Sequence, residues 1–212
     1  MTRTLVRRAV LAGAALATAL LLGACGGGHD PMPGMQSGHA TAPGGSASPG
    51  RASSAAFNDA DVMFAQMMIP HHQQAVEMAA LAGTRAADPE VKSLAARIEA
   101  AQEPEIKTMT GWLAEWGRPA PMMSGGMNHS GAHSAMPGMM SDADMARLKA
   151  ATGKDFDRQF CTMMIAHHRG AIAMAEDELA GGVNTDAKDL ARQIITAQQA
   201  EIDTMNTFLA RS

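Results

Sequence analysis

The sequence predicts an all-α protein, a ferritin-like four-helix bundle built from two copies of one helix hairpin. Two observations carry this prediction. The stretch Met67-Met68-Ile69-Pro70-His71-His72 returns 96 positions later as Met163-Met164-Ile165-Ala166-His167-His168. Long segments around both stretches also place apolar residues at helical spacing. Because one amphipathic hairpin cannot bury its apolar face alone, the two copies are expected to pack against each other.

The repeat keeps one constant offset over both helices of each hairpin. The matched pairs are Phe64 and Phe160, Ala75 and Ala171, Met78 and Met174, Leu94 and Leu190, Ile98 and Ile194, Gln102 and Gln198, Glu105 and Glu201, and Met109 and Met205. A gapless match over this length predicts two hairpins of equivalent structure.

Residues 1–24 are expected to be a lipoprotein signal peptide. Three arginines precede an apolar run, residues 9–22, that is too short to remain as a membrane-spanning helix. The run ends in Leu22-Gly23-Ala24-Cys25, which resembles the bacterial lipobox, so Cys25 is the expected site of lipidation. The alternative is an ordinary signal peptide in which Cys25 is incidental.

The rest of the chain divides by composition. Residues 25–57 are rich in Gly, Pro, Ser and Ala, which predicts a disordered tether. Residues 58–212 form the expected helical domain, and a Met- and His-rich loop at residues 118–140 interrupts it.

The charge balance argues against nucleic acid as a partner. The chain has 17 basic and 21 acidic residues, and removing residues 1–24 leaves 14 basic residues and a net charge of −7. Such a surface is not expected to neutralise phosphates, but it suits an exported protein that attracts cations. The expected location is the outer face of the cell membrane, or a periplasm-facing membrane, through a lipid on Cys25.

Capping residues predict where the first hairpin begins and turns. Asn58 and Asp61 resemble a capping box, with Asp in place of Glu, and predict a first helix that Gly83 ends. Asp88-Pro89 is a cap followed by proline at the first helical position. The second helix is expected to run from there to about Trp116.

Similar signals place the remaining helices. Ser141 predicts a short helix that ends near Thr152-Gly153. The third long helix is expected from about Asp155 to Gly181-Gly182, and the fourth from about Thr185 to the end of the chain.

The methionine–histidine stretches should present their ligands on the inner face of each first helix, because the apolar positions recur every three to four residues. The expected inner-face residues are Phe64, Met67, Met68, His71, Ala75 and Met78, with counterparts Phe160, Met163, Met164, His167, Ala171 and Met174. His72 and His168 lie about 100° round the helix, stacked on Met68 and Met164.

The second helix of each hairpin carries a glutamate in an apolar stripe. The stripes are Leu94, Ile98, Ala101, Glu105, Met109 and Trp112, and Leu190, Ile194, Ala197, Glu201, Met205 and Phe208. A carboxylate on a buried face is costly unless it is paired. Glu105 and Glu201 are therefore expected to orient a histidine of the facing helix or to ligate a metal directly.

Two prolines occur in the first copy only. Pro70 and Pro104 fall inside predicted helices and should kink them, whereas their counterparts are Ala166 and Ala200. Either the first copy holds a bent and functionally distinct site, or both prolines are tolerated drift.

The residue types indicate the metal. Thioether and imidazole together suit Cu(I), and Cu(II) is possible at the histidines. Met78 and Met174 are metal candidates that could instead be plain core packing. The loop is expected to capture metal too, since no core explains its candidates Met122, Met123, Met127, His129, His133, Met136, Met139 and Met140.

These residues resemble a known family, the bacterial domain-of-unknown-function family 305. Its hallmark is Phe-Asp-x-x-Phe-x-x-x-Met-Ile-x-His-His-x-x-Ala-x-x-Met-Ala. The second copy matches it from Phe156-Asp157 to Ala175, and the first copy matches from Phe64 to Ala79 but lacks the preceding Phe-Asp. The resemblance implies a ferritin-like four-helix fold and, because some members are exported copper-binding proteins that support copper resistance, a copper ligand.

The sequence therefore predicts an exported, non-enzymatic copper-binding protein that sequesters copper or passes it between donor and acceptor proteins. One alternative is a ferritin-like redox metalloprotein, but the stretches lack the glutamate three residues before histidine that di-iron sites need. The other is a helical interaction module in which the histidines only pair with Glu105 and Glu201.

Overall fold

The computed structural model describes residues 56–121 and 136–212, and these residues form five helices and no strand. The helices are α1 (Asp59–Arg85), α2 (Pro89–Glu115), α3 (Asp142–Ala150), α4 (Gly153–Gly181) and α5 (Thr185–Arg211). The all-α prediction is confirmed, including the short helix after the Met- and His-rich loop. No helix among the described residues combines the length and apolarity needed to cross a membrane.

The helix ends follow the capping signals, with one exception. The Asn58 side chain accepts from the N–H groups of Ala60 and Asp61. The Asp61 carboxylate in turn accepts from the Asn58 N–H, which completes the predicted capping box. The exception is Gly83, which does not end α1. The helix runs on to Arg85 because its backbone hydrogen bonds continue, and the Ala86 N–H still donates to the Ala82 carbonyl.

One further expectation needs adjustment. Phe57, which composition assigns to the tether, is half-buried and stacks on Trp116 with ring centroids 4.9 Å apart. Pro70 and Pro104 lie inside α1 and α2, as predicted, and both helices continue past them. The kinks expected at these prolines stay a prediction.

The helices pack as two hairpins. α1 packs along α2, α4 packs along α5, and the hairpins meet mainly through α1 and α4, while α2 and α5 barely touch. One apolar cluster joins the later part of α1 to the earlier part of α4, and the other joins the earlier part of α1 to the later part of α4. The two central helices are therefore antiparallel, and residues 71–72 and 167–168 fall between the clusters.

The two clusters are counterparts under the sequence repeat. One contains Phe64, Met68, Ile69, Met109 and Met174, and the other contains Phe160, Met164, Ile165, Met205 and Met78. The sequence repeat thus builds a core of two equivalent halves with the histidines at its middle.

A buried aspartate at the start of α1 and another near the start of α4 tie each hairpin to the loop of the other. Asp61 accepts from the N–H groups of Val183 and Asn184 at 3.0 and 2.9 Å. Its counterpart Asp157 accepts from the N–H groups of Ala87 and Asp88 at 3.1 and 3.0 Å. The first copy therefore keeps the aspartate of the hallmark and lacks only its phenylalanine, which corrects the expectation that both were missing.

Candidate metal centre

Four histidines lie side by side in the chain in two pairs, and all four are completely buried: His71 and His72 on α1, and His167 and His168 on α4. The sequence places both pairs near the middle of long helices. The antiparallel packing of α1 and α4 then brings the pairs together at the centre of the core.

The central contact joins the repeat counterparts His71 and His167. Their ring centroids are 3.7 Å apart and their planes are inclined by 37°. Burial, followed by the charge of the neighbouring His72, lowers the pKa of His71 to about 3. Burial, followed by the charge of His71, likewise holds the pKa of His167 well below its usual range. Both central imidazoles are therefore neutral at physiological pH and keep a lone pair.

The outer histidines pair with the two glutamates. His72 Nε2 lies 2.7 Å from Glu105 Oε2, and His168 Nε2 lies 2.7 Å from Glu201 Oε2. The expected histidine–glutamate pairing is present in both copies. Because a carboxylate only accepts, each Nε2 carries a proton, and in the neutral ring Nδ1 is then the free base.

The glutamates do not sit in the middle of the buried seam, which corrects the predicted stripes. Their side chains are 20% and 19% exposed, and Ala101 and Ala197 are exposed. Gln102 and Gln198 occupy the seam instead, each 3% exposed. The flanking residues Leu94, Ile98 and Met109 are buried as predicted, as are their counterparts, so the stripes differ from the prediction only in part.

Five buried imidazole nitrogens have no hydrogen-bond partner among the residues that the structure describes. They are Nδ1 of His71, His72, His167 and His168, and Nε2 of His167. Buried polar atoms are nearly always satisfied, so such a concentration calls for a ligand. A metal ion is the ligand that accepts imidazole lone pairs.

Thioether side chains lie one helical turn from these histidines. Met68 and Met164 are fully buried and precede His72 and His168 by one turn. Met67 and Met163 are half-buried and precede His71 and His167 in the same way. Met78 and Met174 are also buried, and they pack within the same two apolar clusters as Met68 and Met164.

Within residues 56–121 and 136–212, no group of three or more His, Cys, Asp or Glu side chains is arranged to hold a metal ion. Cys161 is buried, and burial followed by the charge of Asp157 raises the pKa of its thiol to about 12, which makes it a poor thiolate. The absence of such a three-ligand group among the described residues covers the four histidines as well, so a metal ion held here would need ligands of another kind, such as thioether sulfur, beside the imidazoles.

The end of the Met- and His-rich loop reaches the histidines. His71 Nε2 donates to the carbonyl oxygen of Pro137 at 3.1 Å. Met136, Met139 and Met140 are half-buried beside this contact. The other loop candidates, Met122, Met123, Met127, His129 and His133, lie outside the described residues, as does Cys25.

Sequence reasoning missed several residues around this centre. Gln74 and Gly170 both contact the end of the loop. Their one signal in the sequence is that they occupy equivalent positions of the repeat but are different residues. The Pro137 carbonyl gave none, because a backbone contact leaves no trace in residue type. Gln102 and Gln198 were visible as a matched pair but were not recognised as the buried seam residues.

Comparison with known proteins places the chain among helical proteins of one family. The family described as a domain of unknown function (DUF305) matches residues 61–209. A DUF305 protein from Streptomyces coelicolor is 37% identical, with a TM-score of 0.64 over 72% of this chain and 93% of its own. A DUF305 fragment from Deinococcus radiodurans is 36% identical, with a TM-score of 0.64 over 73% of this chain and 98% of its own.

A third similar structure is CopM in its Cu(I)-bound form. It is 35% identical, with a TM-score of 0.58 over 71% of this chain and 96% of its own. CopM structures with Cu(II) and with silver are similar to this chain as well. No curated protein matches the chain. The extent of the family match and the likeness of these structures show that the chain belongs to the DUF305 family.

Proposed function

We propose that this protein binds copper outside the cytoplasm and sequesters it or relays it to other proteins. The observation that carries the proposal is the set of five buried, unpartnered imidazole nitrogens next to buried thioethers. Neutral imidazole and thioether together favour Cu(I), and the imidazoles alone accept Cu(II).

The relatives support the identity of the metal. CopM has been crystallised with Cu(I), Cu(II) and silver. Silver, like Cu(I), prefers soft ligands, so binding of both metals fits a site that includes methionine sulfur. In the present chain, Met68 and Met164 would supply this sulfur, because each precedes a buried histidine pair by one helical turn, in a four-helix, ferritin-like arrangement of the two hairpins.

Export is proposed from the N-terminal sequence. The positive start, the short apolar run and the lipobox resemblance favour lipid anchoring at Cys25. The Streptomyces coelicolor relative is classed as a secreted protein. An anchored copper protein with a net negative charge would meet metal cations at the cell surface before they enter.

A binding role is favoured over catalysis by the burial of the site. All four histidines are fully buried, so an organic substrate cannot reach them while the helices are packed. A bare metal ion needs far less space. The two glutamates hold the outer imidazoles in one tautomer, which prepares Nδ1 as a ligand without further rearrangement.

Competition titration with a Cu(I) chelator tests this proposal. Met68→Leu and Met164→Leu remove the thioethers with little change in side-chain volume, and together they should weaken Cu(I) binding at the core by at least tenfold, about 1.4 kcal/mol. Met109→Leu and Met205→Leu are matched controls, because these methionines are equally buried but lie outside the histidine helices.

The histidines are tested by replacing His71, His72, His167 and His168 with glutamine. One strong Cu(I) equivalent or more should disappear, while circular dichroism reports whether the helices remain. Unchanged stoichiometry and affinity in a folded variant would sink the proposal for the core site.

A further inference from the structure

The strap, which we define as residues 136–140, crosses the central histidine pair. The Pro137 carbonyl accepts from His71 Nε2 at 3.1 Å. One residue later, Gly138 has a φ of 77° and lies so close to α4 that an added Cβ would approach the Ala166 oxygen to 2.5 Å and the His167 oxygen to 2.9 Å. The strap therefore touches the backbone of one helix and the imidazole of the other.

Gly170 on α4 provides the space for this crossing. A Cβ at Gly170 would lie 1.9 Å from the Pro137 oxygen and 2.9 Å from the Cα of Gly138. Such a separation is far below van der Waals contact, so any side chain at this position must displace the strap.

Gln74 on α1 holds the strap in place. Its amide nitrogen donates to the Met140 carbonyl at 2.9 Å, and its amide oxygen accepts from the Met140 N–H at 2.7 Å. Gln74 and Gly170 are counterparts under the 96-residue repeat. One copy thus clamps the strap and the other makes room for it, which lets one strap lie across a core of two equivalent halves.

The strap also makes the two central histidines different. His71 Nε2 has the Pro137 carbonyl as its partner, whereas neither nitrogen of His167 has a side-chain or strap partner within residues 56–121 and 136–212. Both rings are fully buried. Among the described residues, the strap is the non-helical segment that lies against this pair. Two hydrogen bonds between Gln74 and Met140 hold the end of the strap.

We propose that the strap is a gate that controls the exchange of copper at the His71–His167 pair, with Gln74 as its latch. This inference rests on the proposed function and adds to it the route and the kinetics of exchange. Copper enters and leaves when the Gln74–Met140 bonds break and the strap lifts from Gly170.

Two variants release the gate without touching a histidine. Gln74→Ala removes the latch, and Gly170→Ala pushes the Pro137 carbonyl away. Gln73→Ala is the matched control, because Gln73 is also half-buried on α1 and makes no side-chain hydrogen bond within the described residues.

The experiment follows the transfer of Cu(I) between the full chain and an excess of chelator in both directions. The phase that belongs to the core is identified by its loss in the variant lacking all four histidines. Loss of two hydrogen bonds should speed both uptake and release by about tenfold in Gln74→Ala, and Gly170→Ala should act in the same direction. Because a gate changes the opening rate alone, the Kd should stay within about twofold of wild type.

Amide hydrogen exchange of the metal-free protein provides a second readout. The Met140 N–H should be protected in the wild type and in Gln73→Ala and should exchange faster in Gln74→Ala. Wild-type copper kinetics in a Gln74→Ala protein whose Met140 amide has become exchangeable would overturn the gate and leave the proposed function intact. A missing core phase in the wild type would overturn both.

Discussion

The first and second hairpins place the same side chains around the histidine cluster, yet the surroundings of the two copies differ. Each outer histidine has its glutamate at 2.7 Å. In the first copy, however, His71 binds the strap, while in the second copy the described part of the chain offers His167 no such bond. Repetition therefore builds the scaffold and the outer pairs, and a single non-repeated segment distinguishes the central ones.

Asp61 and Asp157, which each bind the loop of the other hairpin and are called here the crossed aspartates, also share a scaffold but differ in their surroundings. Asp157 binds only backbone N–H groups, but Asp61 also lies beside the buried carboxyl group of Glu178, whose counterpart is Ala82. Both carboxyl groups approach Gly182 so closely that a Cβ there would meet each of them within 2.7 Å. The second copy thus carries a buried acid that the first copy lacks.

The pKa values of Glu178 and Asp61 are both shifted. Among the described residues, no N–H group donates a hydrogen bond to either carboxyl oxygen of Glu178. Burial, followed by the hydrogen bond and the charge of Asp61, raises the pKa of Glu178 to about 8, against a smaller lowering by Lys188. Burial alone would raise the pKa of Asp61, but the donors of Asn184, Asn58 and Glu178 outweigh it and lower the pKa. A protonated Glu178 therefore donates to an ionised Asp61.

The largest expected effect comes from breaking a crossed aspartate. Asp157→Ala leaves the buried N–H groups of Ala87 and Asp88 without an acceptor and should lower the free energy of unfolding by about 3 kcal/mol. Asp61→Ala should cost at least as much, because it also removes the acceptor of the Asn58 N–H and leaves the buried Glu178 without its partner carboxylate. Urea denaturation of the full chain measures both.

Asp155→Ala is the control, since Asp155 is exposed in the first turn of the same helix. Equal losses for Asp157→Ala and Asp155→Ala would show that the crossed bonds do not hold the hairpins together.

A smaller effect is expected at the outer pairs. Glu105→Gln and Glu201→Gln keep the size of the side chain but remove the charge that orients His72 and His168. Each should weaken copper binding by about 10- to 100-fold, and by similar amounts, if the outer pairs are equivalent. Chelator competition measures the affinities, with Glu103→Gln on the exposed face of α2 as control. Unaltered affinity in both variants would assign the glutamates a purely structural role.

The pH dependence introduced by Glu178 is spread over several pH units, so its effect is the smallest over any single unit. Its folded-state pKa of about 8 lies above the usual value of 4.5, so between these values the native state holds a proton that the unfolded state has lost. The free energy of unfolding should therefore fall as pH rises from 4.5 to about 8, by at most about 1.4 kcal/mol per pH unit. Glu178→Gln should flatten this slope. Identical slopes in the variant and the wild type would contradict the buried acid.

Some of this architecture follows from sequence and some does not. Helical spacing and a gapless repeat were sufficient for the five helices and the two hairpins. They also indicated that each glutamate meets a histidine, because matched helices must present matched faces. The choice between Ala101 and Gln102 as the buried residue depends on a rotation of the helix about its own axis, which tertiary packing sets. The strap could not be predicted, because its contacts run through the backbone of Pro137 and the absence of a side chain at Gly170.

The central claim is that copper binds at the histidine cluster between α1 and α4. Anomalous diffraction at the copper edge, from crystals of the full chain loaded with Cu(I), tests it most directly. If copper binds there, we expect an anomalous peak within coordinating distance of ring nitrogens of the buried histidines, with sulfur of Met68 or Met164 beside it. Peaks confined to the Met- and His-rich loop or to the surface, with the His71 and His167 rings still in contact, would contradict it.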